Sequence, residues 1–176
     1  HLLSRRQRQM CIRDRSDAFS QFSNFHASFR NMLLGKQSIF YTWNASLGLN
    51  YLSLISYYLG GIFTPLVVLF PNQMMPDALY FLTILKVGCA GLSFWFLART
   101  YKIPRWGHVA LSVSYASISF ITAHSEIIMW LDAFIYLPLI ILGIHRVMDL
   151  KKPIVLFVSY LLLFLSSFYM GFMIGV

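Results

Sequence analysis

The chain has 176 residues, of which 58% are hydrophobic and only 11% are charged. Soluble domains carry about 25% charged residues, so this composition indicates a membrane protein and excludes an ordinary soluble enzyme. The net charge of +8 does not indicate a nucleic-acid partner, because residues 1–15 alone hold five arginines and one aspartate.

Residues 1–15, HLLSRRQRQMCIRDR, lack the apolar core of a signal peptide. The stretch RQMCIRDR is similar to translated adapter sequence, and we interpret 1–15 as a non-native basic tail. A genuine basic tail on a membrane face is the alternative. The chain has no initiating Met and stops inside the apolar run MGFMIGV, so we expect it to be a fragment of a longer protein.

The periodicity of residues 17–33 separates polar and apolar side chains onto opposite faces of a helix. The polar face holds Asp17, Gln21, Asn24, Ser28 and Asn31. The apolar face holds Phe19, Phe22, Phe25, Phe29 and Leu33. This pattern predicts an amphipathic helix that lies in the membrane interface with its phenylalanines towards the lipid and ends near Gly35.

Two aromatic stretches complete the predicted unit 16–77. FYTWNASLGLNYL contains Trp43 and Asn44 and is typical of interfacial depth. The run 51–70 is interrupted by Gly60, Gly61 and Pro65, which favours a broken, interfacial or re-entrant element over a continuous span.

Residues 78–176 contain about four apolar runs that suit membrane spans. They cover 78–98, 108–123, 130–145 and the segment that starts at Ile154. The connections between them hold three, zero and three Lys or Arg residues. This alternation predicts that RTYKIPRWG and HRVMDLKKP are cytoplasmic, and that HSEIIM and the whole of 16–77 are outside. The predicted fold is therefore all-α: a polytopic transmembrane helical protein with an exterior loop of interfacial amphipathic helices.

Asp17 is the sharpest catalytic candidate. A partly desolvated carboxylate at a membrane surface can have a raised pKa and act as a general base. Gln21, one helical turn later, is placed to orient a substrate hydroxyl or the carboxylate itself. Ordinary capping of the helix N-terminus by Asp17 is the alternative interpretation.

The stretch HSEIIMWLD contributes His124, Glu126 and Asp132 in or near one short outer turn. Such groups can bind a sugar, a metal or the counter-cation of a phosphate, although His124 and Glu126 alone are too few to specify zinc. Alternatively, they are polar loop residues at the water boundary, with Asp132 capping the next helix.

Three further residues are candidates for substrate binding. Lys86 lies about 12 Å inside the first span, where it can neutralise a lipid phosphate or snorkel to the outer surface. Trp43 and Asn44 suit packing against a sugar and hydrogen bonding to it. An interfacial aromatic anchor is the alternative for this pair.

Several segments in order resemble the YfhO family of bacterial membrane proteins. They are SDAFSQFSNFHASF, GKQSIFYTWNASLGLNYLSLISYYL, PLVVLFP, LKVGCAGLSFWFLAR and HSEIIMWLDAFIYLPLIILGIHR. The resemblance covers roughly residues 16–176. It implies similarity to the glycosyltransferase C superfamily, whose polytopic helical members use lipid-phosphate-linked sugars as donors. Asp17 matches the catalytic aspartate of that superfamily's first exterior loop, and Gln21 matches the polar residue that follows it.

The resemblance also implies partners and a location. We expect an inverting transfer from a polyprenyl-phosphate-linked sugar to lipoteichoic or wall teichoic acid, at the outer face of the cell membrane and without nucleic acid. No cofactor is assigned, and a divalent metal is left open. A lipid-linked sugar flippase or another membrane transporter, with Lys86 and the outer acids lining a path, is the alternative function. Because the transmembrane helix expected before Asp17 is missing, we expect the fragment to be inactive by itself.

Overall fold

The computed structural model describes residues 21–42, 48–125, 127–150 and 152–175. Over these ranges the chain is predominantly helical, as predicted, with one short hairpin that the sequence did not indicate. The helices are α1 (Ser23–Leu33), α2 (Tyr51–Leu54), α3 (Met75–Ala98), α4 (Arg105–Ala116), α5 (Ser119–Ala123), α6 (Leu131–Leu150), α7 (Ile154–Ser166) and α8 (Phe168–Gly175). The strands are β1 (Tyr41–Thr42) and β2 (Leu49–Asn50), antiparallel, with Tyr41 opposite Asn50 and Thr42 opposite Leu49.

Helix α1 is amphipathic and ends where the sequence predicts. Gly35 adopts φ +72°, a conformation that favours glycine, just after the helix. The amides of Gly35 and Lys36 donate to the carbonyl oxygens of Met32 and Asn31, both at 2.9 Å, and so close a Schellman motif. The predicted lipid contact of the phenylalanine face is wrong for Phe22 and Phe29, because both side chains are buried in the protein core.

The run 51–70 is broken, which confirms that part of the prediction. Helix α2 continues as one π-helical turn, Ile55–Leu59, and the chain then turns at Gly60 and Gly61 into a 3₁₀ helix, Thr64–Leu69. Pro65 stands in the first turn of this 3₁₀ helix, where its missing N–H leaves no carbonyl unpaired. A second 3₁₀ turn, Asn72–Met74, leads into α3.

Two helices of the described ranges are long and apolar enough to cross a membrane. They are contained in Asn72–Ala98 and Leu131–Asp149. Helix α3 has 24 residues and is therefore about 36 Å long, more than the roughly 30 Å of a hydrocarbon core. The predicted span 108–123 is divided at Ser117 into α4 and α5, and the segment after Ile154 is divided at Ser167 into α7 and α8. Neither is one continuous span, so the count of four stays a prediction.

Pro138 lies inside α6 and is accommodated by a neighbouring helix. A proline has no N–H, so the carbonyl four residues earlier, that of Phe134, loses its helical partner. The hydroxyl of Tyr115 on α4 donates to this carbonyl oxygen at 3.0 Å. Such replacement of a lost backbone bond is what allows proline in an apolar helix.

The helices pack around two clusters of buried side chains. Helix α6 lies between α3 and α7, and α4 packs beside α3. One cluster joins α1, the run 51–70, the start of α3 and residues 128–129. The other joins α6 to α7 and α8. Because the first cluster lies under α1, the apolar face of α1 is held against the protein and its polar face borders a surface groove.

Candidate functional site

A polar groove lies beside the polar face of α1. It has a volume of about 630 Å³. Its lining consists of Asn31, Lys36, Gln37, Ser38, Tyr41, Thr42 and Asn72. A smaller recess of about 260 Å³ shares Asn31 and Thr42 with it and adds Asn24 and Ser28. Both lie next to the segments that sequence analysis assigned to the exterior loop.

Hydrogen bonds between side chains order the wall of this groove. Ser28 Oγ donates to Gln37 Oε1 at 2.9 Å, and Gln37 Nε2 donates to Thr42 Oγ1 at 2.7 Å. Across the groove, Asn72 Nδ2 donates to Asn31 Oδ1 at 3.1 Å. Fixed amides and hydroxyls suit recognition of a hydroxyl-rich ligand such as a sugar.

A buried ion pair joins the two long helices. Lys86 on α3 donates from Nζ to Asp132 Oδ2 on α6 at 2.8 Å, and the two side chains are 3% and 1% exposed. Lys86 Nζ also donates to the carbonyl oxygen of Ile128 at 3.0 Å. The other carboxylate oxygen, Asp132 Oδ1, has no hydrogen-bond partner among the described residues. A charged group buried in an apolar helix needs an opposite charge beside it, because water no longer solvates it. Lys86 and Asp132 fill this need for each other.

The structure therefore corrects the predicted surroundings of Lys86 and Asp132. Lys86 does not snorkel to the surface, since its ammonium group is enclosed. Asp132 does not lie at the water boundary of the outer turn, because it is buried. It does not cap α6 either, because it is the second residue of the helix and its carboxylate pairs with Lys86. That either residue binds a substrate stays a prediction. In the structure, the charged group of each residue pairs with that of the other.

His124 takes part in an aromatic cluster, whereas Asp132 pairs with Lys86. The His124 ring stacks on Phe120, with centroids 4.3 Å apart, and lies 5.9 Å from the ring of Trp130. Its Nδ1 is 3.2 Å from the carbonyl oxygen of Phe120. These two members of the predicted outer-turn set thus have different partners, and His124 is partly accessible at the surface.

Four predicted site residues, Asp17, Trp43, Asn44 and Glu126, lie outside the described residues. Gln21 is described and exposed, two residues before the start of α1. In the chain, Asp17 precedes Gln21 by four residues, and Trp43 directly follows the groove residue Thr42. Within the described ranges, no three His, Cys, Asp or Glu side chains lie close enough to hold a metal ion.

Sequence reasoning missed the ion pair and the groove, because none of the described residues that line the groove was a predicted site residue and only Asn31 was noted, as part of the polar face. The pair had a usable signal, since charged residues inside apolar helices nearly always pair. Gln37 and Asn72 had none, because isolated amides in loops do not form a periodic pattern.

His26 is a buried histidine of α1 that the mechanism suggested by the sequence does not use. Its Nδ1–H donates to the carbonyl oxygen of Phe22 at 2.7 Å. Burial lowers the pKa of His26 from 6.5 to about 4; the hydrogen bond to Phe22 opposes this change and the positive charge of Lys86 adds to it. The imidazole is therefore neutral in the folded protein at pH 7.

The low pKa of His26 predicts a loss of stability in acid. Between pH 6.5 and 4 the unfolded chain binds a proton that the folded chain does not, so stability is complete above pH 6.5 and falls below it. We expect a loss of about 2–3 kcal/mol between pH 7.5 and 4.5 from this residue. Unfolding in detergent at both pH values measures it, with the His26→Gln variant as control. Equal losses in the two proteins would contradict the prediction.

A family model described as bacterial membrane protein YfhO matches residues 14–176. The chain belongs to the YfhO family. The resemblance noted in the sequence is thereby confirmed, and with it the membrane-protein class that the composition indicates. Neither the curated proteins nor the solved structures contain a match. For this YfhO protein, the groove and the ion pair are thus the structural basis for inferring a function.

Proposed function

We propose that this YfhO protein is part of a membrane glycosyltransferase that moves a sugar from a polyprenyl-phosphate donor to a cell-envelope polymer on the outer face. The observation that carries the proposal is the groove beside α1, whose ordered amides and hydroxyls suit the hydroxyl groups of a sugar. Family membership and the two long apolar helices support its placement in a membrane. Lipoteichoic and wall teichoic acids are the proposed acceptors.

The proposed reaction is a single displacement at the anomeric carbon. The carboxylate of Asp17 accepts the proton of an acceptor hydroxyl, while the hydroxyl oxygen forms a bond to the anomeric carbon. The bond from that carbon to the phosphate oxygen breaks, and the polyprenyl phosphate leaves with the electron pair. One displacement inverts the configuration. A phosphate is a good leaving group, so one general base suffices, unlike the two carboxylates of glycoside hydrolases.

The chain order of the candidate residues supports this arrangement. The helical periodicity of the sequence predicts Asp17 and Gln21 on the same polar face as Asn31, and Asn31 lines the groove. Trp43 and Asn44 follow the groove residue Thr42 directly and are proposed to contact the sugar. Glu126 and His124 are proposed to contact the acceptor at the same outer face.

Replacing Asp17 with asparagine tests the proposal. A general base contributes about 10²- to 10⁴-fold, so we expect sugar transfer to fall by that factor. A full-length YfhO protein that carries this segment, either wild type or with the Asp17→Asn replacement, is expressed at matched membrane levels in a bacterial strain that lacks its own YfhO protein. Sugar on the envelope polymers is then measured by mass spectrometry. Asp77→Asn is the control, because Asp77 is an exposed acid of the same predicted exterior unit.

Each outcome has a separate meaning. Loss of transfer in Asp17→Asn alone supports Asp17 as the base. Full transfer by this variant removes Asp17 from the mechanism and leaves Glu126 as the next acid to test. If the wild-type protein transfers no sugar, the enzyme proposal fails and the flippase or transporter alternative replaces it.

A further inference from the structure

The Lys86–Asp132 pair holds three parts of the chain together. Lys86 comes from the middle of α3, Asp132 from the first turn of α6, and the second acceptor of Lys86, the carbonyl of Ile128, from the turn before α6. Buried ion pairs are weak sources of net stability, since desolvation of the two charges offsets their attraction. A role in fixing one arrangement of the helices is the better explanation for such a pair.

Gly61 lies directly on this ion pair. A Cβ at position 61 would come within 2.7 Å of Asp132 Oδ2, 3.1 Å of Thr64 Oγ1 and 3.3 Å of Lys86 Nζ. A side chain at position 61 would therefore require either the turn or the ends of the charged side chains to shift. Gly60 is equally confined, because a Cβ there would overlap the carbonyl oxygen of Leu165 at the end of α7. The Gly60–Gly61 turn thus packs against the ion pair on one side and against α7 on the other.

The segments on both sides of this turn support α1, which borders the groove. The π-helical turn Ile55–Leu59 and the 3₁₀ helix Thr64–Leu69 both pack against α1. The ring of Tyr58 lies 5.8 Å from that of Phe22 and 5.0 Å from that of Phe25. Helix α1 in turn carries Asn31 into the wall of the groove. A shift of Gly61 is thus transmitted to the groove through packed side chains.

We propose that Lys86, Asp132 and Gly61 are positioning residues. Their contact, which we call the anchor contact, fixes the 51–70 run against the membrane helices and thereby holds the groove in its binding shape. The inference rests on the proposed function only for what the groove binds. The geometry makes a prediction that does not require sugar transfer. Disturbing the anchor contact opens the groove even when the helices remain stably packed.

A thiol introduced at position 28 reports the state of the groove. The chain is first freed of its own thiols by Cys11→Ser and Cys89→Ala. Ser28→Cys then places the reporter thiol in the groove wall, where the side chain is buried. Trp106→Cys places a reference thiol at the start of α4, where the side chain is 86% exposed. The rate of maleimide labelling is measured for each thiol in the detergent-solubilised protein.

Two variants of the anchor contact are compared with the parent chain. Gly61→Ala forces the turn and the charged side-chain ends apart, and Lys86→Met with Asp132→Leu removes the charges while keeping apolar volume. We expect both to raise labelling of the groove thiol by about tenfold through local opening, with labelling of the reference thiol unchanged. In the double variant, the thermal stability is expected to match that of the parent, so a purely structural role would leave the groove thiol at its parental rate.

Parental labelling of the groove thiol in the stable double variant would overturn the proposal. Equal increases at the groove thiol and the reference thiol would also overturn it, because they would indicate global loosening. If Gly61→Ala does not accumulate, the double variant decides alone. Failure of wild-type sugar transfer with the expected labelling refutes the proposed function and leaves the positioning role standing.

Discussion

Asp132→Ala is expected to lower the free energy of unfolding by about 3–5 kcal/mol, because it leaves the buried ammonium of Lys86 without its counter-charge. The side chain of Lys86 is only 3% exposed, so water cannot replace the carboxylate. The remaining acceptor, the carbonyl of Ile128, carries no full charge. Thermal and denaturant-induced unfolding in detergent measure the loss.

The same helix supplies a control. Asp149→Ala removes an exposed carboxylate near the other end of α6, and we expect a change within about 0.5 kcal/mol. The double replacement Lys86→Met with Asp132→Leu should regain the parental stability or exceed it, since both desolvation costs disappear. A single variant as stable as the parent, or a double variant as unstable as the single one, would contradict the energetic role of the pair.

Gly143→Ala should destabilise the contact between α6 and α7. A Cβ at position 143 would lie 2.7 Å from both the Cα and the amide nitrogen of Leu156, and 2.9 Å from its Cβ. These are backbone atoms and the first side-chain atom, so no rotamer change relieves the overlap and one helix must move. Overpacking of this kind costs about 1–3 kcal/mol, and small residues are what permit such close approach of apolar helices.

Gly88→Ala is the matched control for this prediction. Gly88 is also in the interior of a long apolar helix, α3, but a Cβ there meets nothing within 4 Å. Alanine is favoured over glycine in a helix by about 1 kcal/mol, so Gly88→Ala should be neutral or stabilising. Unfolding of both variants in detergent measures the difference. Equal stability of the two proteins would show that α6 and α7 separate without cost.

The helical elements could largely be read from local signals. The predicted 78–98 and 130–145 runs correspond to α3 (Met75–Ala98) and α6 (Leu131–Leu150), which end at the same residue and five residues later, respectively. Apolar runs of this length can be recognised from composition alone. The break at Gly60 and Gly61 and the end of α1 at Gly35 were also predictable, because glycine acts through the local backbone.

Other breaks gave no local signal. Ser117 divides the run 108–123, and Ser167 divides the run after Ile154, yet serine at these positions is compatible with a continuous helix. Pro138 is the opposite case: proline predicts a break, but the hydroxyl of Tyr115 takes over the freed carbonyl of Phe134 and α6 continues. At Pro138, a contact between two helices decides that α6 continues.

The sequence by itself determined the membrane class, the all-α fold and the amphipathic character of α1, since each follows from composition or from short-range periodicity. It also indicated the family, through the resemblance of several segments in order. Only the tertiary structure decided that Lys86 and Asp132 pair, that Gly61 lies on the pair, and that Asn72 meets Asn31 across the groove. These contacts join residues that are far apart in the chain. A one-dimensional pattern does not encode which of several buried or loop polar groups will meet, because that depends on how the helices pack.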